Sequence, residues 1–498
     1  MAFSATPREQ TIVRTELCFY VNGMPHRVAG RDAFLTLSDY LRRNQNLTGT
    51  KIVCSEGDCG ACSVLVGRIH DGVLHYAAVD SCIQFLYQVD GAHVVTVEGL
   101  KKNGALHPVQ QAMIDCHGSQ CGFCTPGFVT TMASLFENGG TRREEPLTSA
   151  ELRDALSGNL CRCTGYVQII EAGCSIDPAS VPRMKNVFDE KALVADLAER
   201  VREEVRIEAR DAEGHDLVVY LPLSWEAAAR FKAESEETVV IAGATDIGVQ
   251  RNKGRVTPRR ILSLARVEGD DTISVADGLL TIGARTVWSA VERAMRDLIP
   301  DYYNILLRFG GPQIRNAGTV GGNLVNASPI ADSIPFHFVT ETELELISPS
   351  GTRRVPIEKF YLGYKKLDLK QDELLARVVA RLPGDGEILK LYKVSKRKNL
   401  DISTFTAAIA VQLDGSTVAS ARIAYGGVGP VVLRLPQTEA FLAGKPFTEE
   451  TMRAAGRTAR GEITPITDVR GSAAYRSQLA ENILVRFYHD VAAQAAAV

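Results

Sequence analysis

The 498-residue sequence has no long hydrophobic run. Its longest apolar stretches, such as Thr238–Ala244, are only strand-length, so no membrane span is expected. Charge of one sign is also missing: 56 basic residues meet 59 acidic ones, and a net charge of −3 gives nucleic acid no global field to bind. Met1–Gln10 lacks a basic patch followed by an apolar stretch, so no secretory leader and a cytoplasmic chain are expected. Cysteine is absent from residues 175–498, whereas the first 174 residues hold all eleven. That clustering in a chain without a leader argues against a disulfide framework. The apolar fraction of 45% and charged fraction of 23% exclude a disordered chain, a collagen or a coiled coil. The length implies about three domains, since cores rarely exceed roughly 300 residues.

The first cysteine group is Cys54, Cys59, Cys62 and Cys82. Around it, residues 16–29 read as a hairpin across Asn22-Gly23, with its register left open by Met24. Residues 37–43 have helical spacing, and 63–69 and 93–97 read as strands. The loop CSEGDCGAC has the C-x4-C-x2-C spacing of plant-type ferredoxins. Ser55, Gly57, Gly60 and Ala61 leave room for backbone N–H groups to turn inward toward sulfur. Cys82, on an expected helix SCIQFLY, supplies a fourth thiolate. A structural zinc site is the competing reading, but zinc ligands usually come in paired C-x2-4-C units.

The second group lies among expected helices. Pro108 opens one, Thr125 caps another whose first position is Pro126, and Thr148-x-x-Glu151 forms a capping box. GYVQIIEAG closes the set. Cys121 and Cys124 precede one helix, and Cys161 and Cys163 precede another. Helix N-termini favour negative charge, which suits four thiolates on a second [2Fe–2S] centre. Cys116-x4-Cys121-x2-Cys124 repeats the first loop's spacing. Cys116 falls in an expected helix, however, and is set aside with Cys18 and Cys174 as a small buried hydrophobe.

CSEGDCGACSV together with QCGFCTPG and NLCRCTGY resembles the iron–sulfur module of the molybdenum hydroxylases. That family includes xanthine dehydrogenases, aldehyde oxidoreductases and bacterial carbon monoxide dehydrogenases. The resemblance implies a multidomain α+β protein. Its parts are a β-grasp [2Fe–2S] ferredoxin domain (12–98), a four-helix [2Fe–2S] domain (99–176), a linker (177–215), a vanillyl-alcohol-oxidase-type FAD domain (216–384) and an α+β C-terminal flavoprotein domain (385–498). It also implies that Gln120 and the helical cluster face a molybdenum cofactor held elsewhere. The linker, with one amphipathic helix, reads as a solvated spacer.

Further along, ETVVIAGATDIGV and PQIRNAGTVGGNLVNASPIAD are small-residue loops that could meet a pyrophosphate or simply be tight turns. Neither is a strand–GxGxxG–helix unit. The resemblance makes them FAD loops. Ile241, Ala242, Gly243, Ala244, Thr245, Asp246 and Ile247 form the first, and Thr319, Gly321, Gly322 and Asn323 the second. Asp332 is a further FAD contact, Phe309 an aromatic near the isoalloxazine, and Lys393 a lysine near the flavin. Lys396-Arg397-Lys398-Asn399 either faces NAD or is a solvated turn; spacing favours the turn, and the resemblance favours NAD.

The sequence shows no obvious acid–base pair or His-based triad, so the chemistry is expected to be that of its cofactors. The expected cofactors are two [2Fe–2S] clusters and FAD, with NAD+ as electron acceptor. Having both modules on one chain that ends at Val498 resembles the small subunit of bacterial xanthine dehydrogenases. The implied partner is a molybdenum-binding large subunit, in paired heterodimers. The alternatives are a small subunit serving an aldehyde or N-heterocycle hydroxylase, and a stand-alone electron carrier.

Overall fold

The computed structural model describes residues 13–137, 144–269 and 271–497; the segment read for a leader, and Ile12 at the start of the expected ferredoxin domain, lie outside them. The chain forms two compact units: Met1–Glu268 with Gly311–Gly318, and Gly269–Gly310 with Thr319–Val498.

The first unit begins with β1 (Val13–Arg14), then β2 (Glu16–Val21) and β3 (Met24–Ala29). Val21 pairs with Met24, so Asn22 and Gly23 form a two-residue turn, both at positive φ. A short helix α1 (Leu37–Asp39) runs into a π-turn, followed by β4 (Ser63–His70), β5 (Val73–Asp80) and β6 (His93–Val95). The sheet order β3-β2-β6-β4-β5 is the expected β-grasp. The sequence reading missed β5, which pairs along the whole of β4. Cys82 is not helical as expected; it sits in a turn leading to a 3-10 segment at Leu86–Val89. Its turn packs Cys62, Cys82 and Ile83 into one buried knot.

Four helices follow: α2 (Pro108–Asp115), α3 (Thr125–Glu137), α4 (Ser149–Ala155) and α5 (Val167–Cys174). His107 and Gln110 form one capping box and Thr148 and Glu151 another. Thr125 is the first residue of α3 rather than its cap, and its hydroxyl donates to Ser119.

Residues 177–215 are not the solvated spacer expected. After α6 (Met184–Val187) and α7 (Glu190–Arg200), Met184, Leu193 and Leu197 are buried in the core of the helical domain. Next, β7 (Glu204–Arg210) pairs with β1 and with β8 (Asp216–Leu221). The cause is the buried alternation of Val205 and Ile207, which a charge-rich reading of the segment hides. The unit is completed by α8 (Trp225–Ala233), β9 (Thr238–Ile241), α9 (Ile247–Asn252), β10 (Arg260–Ser263) and one helical turn at Pro312–Arg315. Sheet order here is β1-β7-β8-β10-β9.

The expected FAD domain is therefore divided between the units. In the second unit, β11 (Ile273–Ala276), β12 (Leu279–Gly283), β13 (Glu343–Ser348) and β14 (Gly351–Pro356) join β17 (Leu374–Arg381) in the order β11-β12-β17-β13-β14. A small pair, β15 (Tyr361–Gly363) and β16 (Lys366–Leu367), precedes β17. The C-terminal part is an antiparallel sheet of β18 (Glu387–Val394), β19 (Phe405–Asp414), β20 (Thr417–Gly426) and β21 (Leu433–Arg434). Helices Pro436–Leu442, Glu449–Gly461 and Ala473–Ala497 follow it in the chain, and buried residues of all three share the sheet's apolar core. Among the described residues, no helix is long and apolar enough to cross a membrane. The architecture is multidomain α+β: a β-grasp sheet, a set of four helices, two further five-stranded sheets and a four-stranded C-terminal sheet packed with helices.

Candidate redox centres

The loop after α1 brings four thiols together. Cys54 accepts from the thiols of Cys59 and Cys82, and Cys82 also contacts Cys62. Ser55, Gly57 and Gly60 are at positive φ, which lets the loop coil and turn its N–H groups inward. Glu56 N–H lies 3.5 Å from Cys54 Sγ; Asp58 N–H also donates to Cys54, and Ala61 N–H to Cys59. Shared hydrogen bonds split the thiols. Those from Cys59 and Cys82 hold Cys54 far below the ordinary thiol range, and the bonds to Cys54 push Cys59 and Cys82 far above it. Beside them, burial first and then the Cys54 charge push Asp80 up to about 7; its Oδ1 lies 3.6 Å from Cys62 Sγ. A convergent all-sulfur set with inward N–H donors fits an anionic cluster.

The second set gathers where α3 and α5 begin. The Cys163 thiol lies 3.4 Å from Cys121 Sγ, and Cys124 contacts Cys161. Burial, then the Cys161 contact, pushes Cys124 up to about 12. Backbone N–H groups of Phe123 and Thr164 point to Cys121 and Cys161. Cys121 and Cys163 are exposed, whereas Cys59, Cys62, Cys82 and Cys161 are buried. Cys116 stays outside both sets: it caps α2 and faces Ser175 Oγ at 3.9 Å.

The two sets touch through backbone. Leu160 N–H donates to Cys59 C=O at 3.0 Å, one residue from Cys161. A Cβ on Gly127 of α3 would lie 2.1 Å from Gly60 O, so only glycine allows that approach. The first set also adjoins the loop after β9: a Cβ on Gly248 would lie 2.4 Å from Ile83 O, and Asn252 Nδ2 donates to the carbonyls of Ser55 and Cys82 at 3.0 and 2.8 Å.

In that loop the N–H groups of Gly243, Ala244, Thr245 and Asp246 find no hydrogen-bond partner among the described residues, while Gln84 and Gln88 donate to the carbonyls of Gly243 and Ala242. A run of free donors suits phosphate oxygens. Gly243 itself is explained by packing, because a Cβ there would lie 2.0 Å from Ala317 O.

In the second unit, Thr319 accepts from Gly322 N–H at 3.1 Å and caps helix Val320–Asn326. Gly321 packs on Ala284, whereas a Cβ on Gly322 would meet only the Thr319 hydroxyl, leaving that side open. Asn323 Oδ1 accepts from Ser333 at 2.6 Å. Asp332 and Lys393 form a buried ion pair; Ser403 Oγ donates to Asp332 at 2.5 Å and Lys393 to Asp401 C=O at 2.9 Å. Phe309 packs edge-on against Trp288 with centroids 5.0 Å apart. Arg397 is held by the Asp401 carboxylate at 2.8 Å, and Lys396 by Val469 C=O at 3.1 Å, so this turn is already internally bonded.

Two site residues escaped the sequence reading. Gln313 and Asn159 are buried between the iron–sulfur loops, and no spacing or composition marks them.

Four family models match in order: "2Fe-2S iron-sulfur cluster binding domain" at residues 19–81, "[2Fe-2S] binding domain" at 96–174, "FAD binding domain in molybdopterin dehydrogenase" at 212–383 and "CO dehydrogenase flavoprotein C-terminal domain" at 390–491. The chain is 30% identical to xanthine dehydrogenase 1 of Arabidopsis thaliana, over 95% of this chain and 39% of that protein. It is also 30% identical to aldehyde oxidase 1 of Bos taurus, over 96% and 39%. It thus spans about two fifths of the length of these relatives. Among solved structures, it resembles a chain of carbon monoxide dehydrogenase from Hydrogenophaga pseudoflava (TM-score 0.52, 26% identity, 54% of this chain and 94% of that one). A chain of quinoline 2-oxidoreductase from Pseudomonas putida 86 is similar (TM-score 0.51, 27% identity, 55% and 96%). With all four domains matched in sequence order, the chain belongs to the molybdopterin dehydrogenase family, as an iron–sulfur and FAD-domain flavoprotein.

Proposed function

We propose that this chain is the electron-transfer component of a molybdenum hydroxylase. The observation that carries the reading is the convergence of eight thiols as two sets of four, joined by the Leu160–Cys59 hydrogen bond. In this reading Cys54, Cys59, Cys62 and Cys82 hold one [2Fe–2S] cluster, and Cys121, Cys124, Cys161 and Cys163 the other. The loop Ile241–Ile247 contacts FAD, as do Thr319, Gly321, Gly322, Asn323, Phe309, Asp332 and Lys393. When bound, the clusters supply one-electron transfer and the flavin a two-electron store.

The chain's own work is positional. Inward N–H groups hold thiolate charge at both cluster loops, and buried Asp80 and Ile83 keep water from the first. The free N–H groups after β9 receive phosphate oxygens. The Asp332–Lys393 pair fixes the turn that carries Arg397. The exposed Cys121–Cys163 face is where a molybdenum-binding partner chain would dock, in paired heterodimers.

Xanthine oxidation with NAD+ is the narrower reading, supported by the fusion of both modules on one chain. A hydroxylase of an aldehyde or N-heterocycle is better supported, because the relatives include aldehyde oxidases and quinoline 2-oxidoreductase as well as xanthine dehydrogenases. The test is the purified chain, alone and with a co-expressed molybdenum-binding chain. Alone it should hold four irons and one FAD, and oxidise NADH with an artificial acceptor but not xanthine. Together, the rate with xanthine, an aldehyde and quinoline decides the substrate class. No hydroxylation with any of them would favour a stand-alone carrier.

A further inference from the structure

Gln313 lies in the segment Gly311–Gly318, distant in sequence from both cysteine groups, yet it is 1% exposed between their domains. Its Nε2 lies 2.9 Å from Asn159 Oδ1, 3.1 Å from Thr131 Oγ1 and 3.2 Å from Ser63 Oγ. Two amide hydrogens are thus shared among three acceptors, one on β4, one on α3 and one beside Cys161. Gln313 Oε1 has no hydrogen-bond partner among the described residues, and it occupies the space where a Cβ on Gly158 would sit, 2.0 Å away. Burying a carboxamide costs free energy unless it is hydrogen-bonded, and among the described residues the bonds here are all made by the Nε2 end.

The bonds lead to one peptide plane. Asn159 Nδ2 donates to Gly60 C=O at 3.3 Å, and Ser63 donates to the same oxygen through Oγ at 2.7 Å and N–H at 3.1 Å. Gly60 C=O and Ala61 N–H are the two ends of a rigid amide. With the carbonyl end held by Asn159 and Ser63, the N–H end is aimed at Cys59 Sγ, to which it donates. Hydrogen bonds to cluster sulfurs stabilise the more negative, reduced state and raise the potential.

We propose that Gln313 is a positioning residue for the first redox centre: by holding Asn159, Ser63 and Thr131 it fixes the Gly60–Ala61 amide, and so the N–H···S bond to Cys59. This rests on the assignment of Cys54, Cys59, Cys62 and Cys82 as cluster ligands. A segment of flavin-domain sequence would then tune the potential of the cluster that adjoins the loop after β9.

The test is Gln313→Met in the full chain, followed by iron content and a redox titration monitored by electron paramagnetic resonance. The expected result is an unchanged iron content, a lowered midpoint potential for the first-domain cluster and an unchanged potential for the other. The two signals are told apart because Cys163→Ala removes only the second. Thr131→Val, close to isosteric, removes one acceptor and should lower the same potential by less. If Gln313→Met does not accumulate as folded protein, Thr131→Val carries the decision. Unchanged potentials in the variant that folds would overturn the proposal. An unsubstituted chain that binds no iron would instead refute the ligand assignment.

Discussion

Lys393→Met probes the buried pair in the second unit. Lys393 and Asp332 have side chains 1% and 8% exposed, so solvent screens their attraction little. Among the described residues, removing the ammonium leaves the Asp332 carboxylate with the Ser403 hydroxyl as its one side-chain donor and frees the Asp401 carbonyl. Breaking one partner out of a buried pair costs about 3–5 kcal/mol. A unit of this size shifts its Tm by about 2–4 °C per kcal/mol, so the melting point should fall by on the order of 10 °C. Asp332→Asn with Lys393→Met removes both charges and should recover most of that loss, because the uncompensated charge rather than the missing contact dominates. Trp288, packed against Phe309 in the same unit, reports the transition by fluorescence once Trp225 is replaced by Phe. A loss below about 1 kcal/mol, or a double variant no better than the single one, would refute the reasoning.

Cys163→Ala should reduce iron from four per chain to two, whereas Cys116→Ala should leave four, because Cys116 faces Ser175 and neither thiol set; iron analysis with paramagnetic resonance checks both. Gly127→Val should push α3 off the Gly60 loop, costing at least about 1–3 kcal/mol by overpacking and lowering first-cluster occupancy, read by denaturation and iron content. His337 is fully buried and burial lowers it to about 3, so the unfolded chain binds a proton that the folded chain refuses. Stability should therefore fall as pH drops from about 6.5 toward 3, by about 1.4 kcal/mol per pH unit from this group; His337→Gln should flatten that limb in urea titrations. Replacing Lys396, Arg397 and Lys398 by Ala should raise the KM for NADH without releasing FAD, measured by turnover and flavin content; an unchanged KM would reduce the turn to the internally bonded loop that Arg397–Asp401 already makes.

Cysteine position was decided by sequence alone, because metal-type thiol spacing is local: CSEGDCGAC fixes where three sulfurs can go whatever surrounds them, and C-x2-C and C-x-C before helix starts do the same. The capping box at Thr148 and the turn at Asn22-Gly23 were legible for the same reason. Tertiary structure decided what depends on long-range contact. It placed Cys116 outside both thiol sets although its spacing copies a ligand's, because the end of α2 turns it to Ser175. It made the charged segment after Cys174 part of a core and a sheet, because burial of Leu193, Leu197, Val205 and Ile207 depends on partners far away in the chain. It gave Gly243 and Gly321 packing roles where their loops had suggested ligand approach or a tight turn. It also brought Gln313 to Asn159 across 154 positions, a contact that no window of sequence can contain.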